Sequence, residues 1–313
     1  MKVIVFGGSG FLGSHVADAL EEAGHKVLVY DIKASPHLRP SQTMIVGDVL
    51  DQEKVEKAVK GCDAVYNFAG IADIGEASEK PLESVKYNIL GNSIALEAAR
   101  KARVKRFVFA SSLYVYSKAG AFYRSTKQAC ELLIENYHEV FKLPYTILRY
   151  GSLYGPRSDE KNFIHTIIRQ ALTQKKISRY GDGEEIREYI HVRDAAKGSV
   201  EILSDEFANQ HVILTGSQQV KVKDVLFMIK EMMDNKIDIE FLAPREDSHY
   251  EITPYSFAPK TGKRLVSRTY LDLSQGMLET IYNLYKEINP PPAYDGTRPK
   301  GKKRQEKVKV GGA

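Results

Sequence analysis

Tyr123 and Lys127 stand four residues apart at the start of a long apolar-periodic segment, a spacing that places both side chains on one face of a helix. An ammonium one turn from a phenol favours the phenolate, so the tyrosine becomes a usable general acid and base near neutral pH. Just upstream the chain reads RFVFASSLYVYSKAGAFYRSTK from Arg106 to Lys127. The apolar run Phe107 to Ala110 predicts a buried strand with Ser111 and Ser112 at its carboxyl end, where ligands collect in parallel α/β sheets. Taken alone, Tyr-x-x-x-Lys is a weak signal, because one solvated turn of helix accounts for it as well. Its meaning depends on the elements that must position it.

Those elements begin at the first residues. A short apolar strand, Lys2 to Phe6, runs into Gly7, Gly8, Ser9, Gly10, Phe11, Leu12 and Gly13, followed by a helix predicted over about 11–23. Strand, glycine turn and helix in this order let backbone amides approach a pyrophosphate at the positive end of the helix. The second strand, Lys26 to Tyr30, ends at Asp31 and Ile32, and Asp31 lies 18 residues past Gly13. That is the distance expected of an acid that hydrogen-bonds the adenosine ribose, and an acid there repels a 2′-phosphate, favouring NAD over NADP. Lys33 softens this preference; a loop aspartate without a ligand is the alternative.

Strands and helices continue to alternate. Strands are predicted at 44–46 and 63–70, a helix at 51–60, a long helix at 82–102 carrying Asn88, and a helix continuing from Tyr123 to about Phe141. Strand 145–149 then runs into glycine and proline punctuation at 150–157. Such alternation predicts an α/β fold: a doubly wound parallel sheet of Rossmann type with a smaller C-terminal substrate-binding domain. The expected division is 1–155 for the dinucleotide half, with returns near 189–216, then 156–289 mainly for substrate, and a basic tail at 290–313. In the second half, helices are predicted near 163–173, 192–203, 223–233 and 275–287, and strands near 177–180, 211–215 and 238–241.

Composition excludes several function classes. The 313 residues carry a net charge of +5, but seven basic residues and one acid lie between Gly296 and Ala313, which leaves the preceding body at −1. A near-neutral body presents no basic face for nucleic acid; the tail reads as a solvated extension or a docking segment for anionic partners. No apolar run has the length of a membrane helix, and no signal-peptide pattern opens the chain, so no membrane partner and a cytoplasmic location are expected. Cys62 and Cys130 show no metal-ligand spacing, so no metal is expected, and both suit a reduced compartment as buried thiols.

In combination, the glycine loop, Asp31, Gly47-Asp48-Val49, Asn67-Phe68-Ala69-Gly70, the Asn88 helix, Phe-Ala-Ser-Ser-x-x-Val-Tyr, Tyr123-x-x-x-Lys127, Leu-Tyr-Gly-Pro and Tyr-Gly-Asp-Gly resemble the extended short-chain dehydrogenase/reductases, and among them the nucleotide-sugar epimerase/dehydratase family. The resemblance spans residues 1 to about 235. It implies NAD as cofactor, held by Gly7, Ser9, Gly10, Phe11, Leu12, Gly13, Asp31, Ile32, Asp48, Val49, Phe68, Ala69, Gly70, Asn88, Ser111, Tyr123, Lys127 and Tyr150. It implies Tyr123 as acid/base, Lys127 on the nicotinamide ribose, and Ser112 on the reacting sugar hydroxyl. Ser152, Leu153, Arg187 and Arg245 are the implied substrate contacts, together with the stretch Tyr154 to Arg157. An ion pair of Arg187 with Glu184 or Glu188 is the alternative for that residue.

Sugar dehydratases of the family carry an Asp-Glu pair after the serine or threonine, and decarboxylases a glutamate. Here Leu113 and Tyr114 stand instead. The resemblance therefore implies a UDP-sugar 4-epimerase working as a homodimer. A 4-keto-sugar reductase or nucleotide-sugar dehydrogenase is the second reading, and a non-catalytic cofactor-sensing protein the third. The run from Ser112 to Tyr123 is shorter than in most sugar epimerases, Ser152 replaces the usual asparagine, and Glu188 the usual aspartate.

Overall fold

The structure, a computed structural model, describes residues 1–243 and 251–254. Arg245, the helix expected near 275–287 and the basic tail lie outside the described residues. Seven parallel strands form the central sheet: β1 (Lys2–Phe6), β2 (Lys26–Asp31), β3 (Thr43–Val46), β4 (Ala64–Asn67), β5 (Arg106–Ser112), β6 (Tyr145–Tyr150) and β10 (Gln210–Leu214). Their spatial order is β10-β6-β5-β4-β1-β2-β3, so the chain reverses its direction of travel across the sheet between β1 and β4. A crevice opens at such a point, outside the carboxyl ends of the strands.

Period-two alternation sends successive side chains to opposite faces of the sheet. Ile4 and Phe6 join Val65, Phe107, Phe109 and Ile147 under helices α2 (Gln52–Val59), α5 (Gly91–Ala102) and α6 (Ala121–Phe141). Val3 and Val5 join Val27, Val29, Tyr66, Val108 and Leu148 under α1 (Phe11–Glu22) and α8 (Val192–Glu201). Each such fully buried side chain stabilises the fold by about 1.5–3 kcal/mol. Cys62 and Cys130 are buried free thiols within the first of these cores.

The 82–102 segment differs from the single helix predicted. It forms α4 (Pro81–Ser84), a π-helical turn (Val85–Leu90) and then α5. A π turn inserts a residue and re-phases the helix beyond it, and here it brings Asn88 to a polar junction at the wall of the cleft. After β6 the chain forms β7 (Ser152–Tyr154), α7 (Phe163–Gln174), β8 (Lys176–Tyr180), β9 (Ile186–His191), β11 (Gln219–Lys221), α9 (Val222–Met232) and β12 (Asp238–Leu242). Strands β11, β9 and β7 make one small sheet, and β12 and β8 another. Ile167, Ala171, Ile177, Leu226, Ile229 and Ile237 give this part a core of its own. In the sequence β9 reads only as the approach to a helix, because its charged residues mask an extended pattern; Arg187 and Glu188 are both buried in it.

Candidate active site

A cleft of about 540 Å³ lies over the carboxyl ends of β1, β2, β4, β5 and β6. Its floor at one end is the glycine loop. Gly7 has φ +73°, and a Cβ there would stand 2.7 Å from the Phe68 carbonyl carbon; one at Gly13 would stand 2.2 Å from the Gly7 carbonyl oxygen. Only glycine allows this approach of loop, helix and β4 turn. Helix α1 follows Gly10, an N-cap that offers no side-chain hydrogen bond, and has no acid in its first turn, so its leading amides are left for an anion.

Asp31 ends β2 beside this loop. Its Oδ2 accepts from the Ser9 amide at 3.0 Å and its Oδ1 from the Lys33 amide at 3.1 Å. The carboxylate is thereby fixed at the cleft wall with lone pairs to spare for ribose hydroxyls. Asp48 and Val49 line the same end; Asp48 is held by Tyr30, whose hydroxyl donates to the Asp48 carbonyl at 2.8 Å. Burial raises the Tyr30 phenol to about 12, so it remains a neutral donor.

The opposite end holds Ser111, Ser112, Tyr123, Lys127, Tyr150 and Leu153. Strand register sets Ser111 beside Arg149 and Ser112 beside Tyr150. The Lys127 ammonium is buried, donates to the Ala110 carbonyl at 2.6 Å, and lies 5.8 Å from the Tyr123 ring centroid. Burial pulls its pKa below the ordinary lysine value, opposed by the nearby Glu131. The Tyr114 ring meets Tyr123 edge-on, with centroids 5.9 Å apart. Ser112 Oγ accepts from the Tyr114 amide at 3.3 Å.

Gly7, Gly10, Phe11, Leu12, Gly13, Asp31, Ile32, Asp48, Val49, Phe68, Ala69, Gly70, Ser111, Ser112, Tyr123, Lys127, Tyr150 and Leu153 are brought together in this one cleft. Other expected residues are placed elsewhere. Ser9 ties the loop to strand β2, its hydroxyl donating to the Lys33 carbonyl at 2.8 Å. Asn88 stands behind the wall: its Oδ1 accepts from the Ile71 amide at 2.7 Å, and its Nδ2 donates to the Ile71 carbonyl at 3.1 Å and to Thr126 Oγ1 at 3.0 Å. It thus joins the Gly70 turn to the helix that carries Tyr123. Ser152 is in β7 but not in the cleft lining. Arg187 lies in β9, donating to the carbonyls of Ile186 at 3.0 Å and Glu251 at 3.4 Å. Pro156 and Arg157 face α1, through His15 at 3.0 Å and Asp18 at 2.8 Å.

Tyr30, Gly47, Ile71, Ala72, Tyr87, Ala110 and Gly151 line the cleft although the sequence does not mark them as contacts. Ala110 carries a signal, as the last residue of an apolar run before two serines. Tyr87 carries none, since its approach depends on the π turn.

A family model described as the NAD dependent epimerase/dehydratase family matches residues 3–215, most of the chain. The chain belongs to that family. With this membership the protein is an NAD-dependent enzyme of the extended short-chain dehydrogenase/reductase type, and NAD is its cofactor. The residues present fit it: an uncapped helix start, a cradle that any Cβ would fill, and a fixed acid at the end of β2. Among similar proteins of the family, a UDP-glucose 4-epimerase of Corynebacterium glutamicum is 30% identical, the match covering 78% of this chain and 84% of that one. A UDP-N-acetyl-alpha-D-glucosaminuronate decarboxylase of Bacillus cytotoxicus is also 30% identical, over 70% of this chain and 76% of its own. Among solved structures, the UDP-glucose 4-epimerase of Thermus thermophilus in complex with NAD superposes with a TM-score of 0.74 at 26% identity, covering 84% of this chain and 95% of that one. The described residues contain no helix long and apolar enough to cross a membrane and no group of three or more residues that could hold a metal ion.

Proposed function

We propose that the protein is a nucleotide-sugar 4-epimerase that acts on a UDP-sugar by transient oxidation at C4. The two positions after Ser112, Leu113 and Tyr114, carry this reading. Among the described lining residues the carboxylates are Asp31 and Asp48, both at the adenosine end. Elimination of water, or assistance to carboxylate loss, needs a further acid or base next to the tyrosine. Of the two positions after Ser112, Leu113 is sealed in the interior and Tyr114 packs on Tyr123. Proton and hydride chemistry at a single carbon remains.

In this mechanism Tyr123 takes the proton of the C4 hydroxyl and returns it once the keto-sugar has turned over. Lys127, desolvated one helical turn away, favours the phenolate by its charge. Ser112 Oγ already accepts from the Tyr114 amide, which leaves its proton to donate to the sugar oxygen. NAD, when bound, would supply a reversible acceptor for the C4 hydride, so that no external redox partner would be consumed. Leu153 in the cleft and Ser152 beside it in β7 begin the sugar side of the site, and residues from 156 onward form the substrate half, with Arg187 of β9 as its diphosphate contact. Leu90 and, on α6, Leu132, Val140 and Phe141 are large exposed apolar side chains, which supports a homodimer.

The test is incubation of the purified protein with UDP-glucose, UDP-N-acetylglucosamine and UDP-glucuronic acid, with the C4 epimers resolved by chromatography. Epimer formation without net change in nicotinamide absorbance is expected. Net reduction or oxidation of the cofactor would instead identify a dehydrogenase or keto-sugar reductase, and absence of turnover with every sugar would overturn the reading.

A further inference from the structure

Helix α6 carries two parallel stripes. Tyr123, Lys127, Cys130 and Ile134 follow at i, i+4, i+7 and i+11, from the cleft down into the core. Arg124, Gln128, Glu131 and Glu135 repeat the spacing one residue on, rotated by about 100°. The members of this second stripe hold the segment after Ser112 and the strands beside it. Arg124 Nη1 donates to the carbonyls of Ser117 at 3.1 Å and Lys118 at 2.6 Å. Gln128 Nε2 donates to the Val115 carbonyl at 2.7 Å. Glu131 receives Ser111 Oγ at 2.5 Å and a two-pronged contact from Arg149 at 3.0 and 2.6 Å. Arg149 in turn donates to the Tyr116 hydroxyl, with its guanidinium 4.6 Å from that ring's centroid. Glu135 pairs with His211 of β10 at 3.0 Å.

Arg124 and Gln128 hold the loop 113–120, which joins Ser112 to the start of the tyrosine's own helix, while Glu131 reaches it only through Arg149 and Tyr116. It is short and largely buried; Leu113–Tyr116 forms a 3-10 turn in which the Tyr114 carbonyl accepts from the Ser117 amide, and the carbonyls of Val115, Ser117 and Lys118 are met by side chains of α6. It is also closed tightly. Gly120 enters α6 with φ +93°, and a Cβ there would stand 2.7 Å from Tyr114 Cδ1, in the ring that meets Tyr123 edge-on. Serine, loop, tyrosine ring and helix stripe therefore make one interlocked unit.

We propose that this stripe is a latch that sets Tyr123 against Ser112: Arg124 and Gln128 are positioning residues, and the loop 113–120 is a buttress for the tyrosine, not a lid over the substrate. The inference rests on the reading of Tyr123 as acid/base. It also accounts for the short interval between Ser112 and Tyr123, since a longer connection would not be pinned along its length by one helix face. Displacement of a reacting group by about 1 Å costs on the order of a hundredfold in rate. A loosened latch therefore acts on the chemical step.

The experiment uses Arg124→Met and Gln128→Leu, singly and together, in the full chain, read by amide hydrogen exchange over residues 113–120 and by steady-state kinetics. Exchange is expected to quicken by roughly five- to tenfold for each lost anchor, the equivalent of one hydrogen bond. Turnover is expected to fall by about 10- to 100-fold, while KM for the sugar and NAD affinity stay within about twofold, because the interaction lost is one realised in the transition state. The acid limb of the kcat profile should move with the loss of turnover. Unchanged exchange and turnover in the double variant would overturn the latch, as would a raised KM with kcat retained, the signature of a substrate lid. If the double variant does not fold, the single variants decide. Should the unchanged protein turn over no nucleotide sugar, the functional reading fails by itself, and exchange over 113–120 still judges the latch.

Discussion

In the proposed mechanism Tyr123 and Lys127 divide one task between a proton carrier and the charge that tunes it. Tyr123→Phe removes only the transferable proton, so turnover should drop by about 10²–10⁴-fold while NAD binding, measured by fluorescence titration, stays near that of the unchanged protein. Lys127 also makes a prediction about stability. Its pKa in the folded chain lies below 10.5, so between that lowered value and 10.5 the unfolded chain binds more protons than the folded one. The residue's contribution to stability therefore rises with pH across that window and is flat below it. Urea unfolding of the protein and of Lys127→Met at a series of alkaline pH values should show the difference shifting in favour of the unchanged protein as pH rises. At the other end of the cleft, Asp31→Ala should weaken NAD by roughly tenfold or more, the worth of hydrogen bonds to a charged acceptor, and narrow the gap to NADP. Tighter binding of NADP than NAD by the unchanged protein would refute that role for Asp31.

Helices and strands here place chemistry through close backbone approaches as much as through side chains. At Gly13 the space for a Cβ is already taken by the Gly7 carbonyl at 2.2 Å, a backbone atom with little freedom to move. Gly13→Ala should push α1 from the loop, destabilise the protein by about 1–3 kcal/mol, and weaken NAD more than it weakens the fold. Thermal unfolding with and without NAD checks this: the shift that NAD confers should shrink. The elements around this loop are legible in the sequence because each is declared locally, by glycine spacing, by period-two alternation and by Asp31 at a strand end. The π turn at Val85–Leu90 is not, because its cause is tertiary. Asn88 joins Ile71 to Thr126, and Gly91 faces Val49 so closely that a Cβ would stand 2.8 Å from it. No periodicity in the 82–102 segment records either partner.

For the whole molecule, the exposed apolar residues of α6 carry the last prediction. Leu132 is 61% and Val140 68% exposed, although α6 is a long central helix. Sedimentation should give twice the 35.2 kDa of one chain, and Leu132→Glu should shift it toward the single-chain mass. A chain that sediments as a monomer at all concentrations would remove the dimer from the proposal. The sequence by itself determined the parallel sheet, the glycine cradle, the acid at the end of β2 and the pairing of Tyr123 with Lys127, because strand alternation, glycine need and the helical i, i+4 relation are properties of neighbours along the chain. Only the tertiary structure decided that Asn88 braces the wall, that Pro156 and Arg157 face α1, and that Leu113 is sealed away while Tyr114 meets Tyr123. The same holds for loop 113–120, pinned to its own helix. These depend on which surfaces meet across the sheet, and such contacts between distant residues leave no periodic mark in one chain.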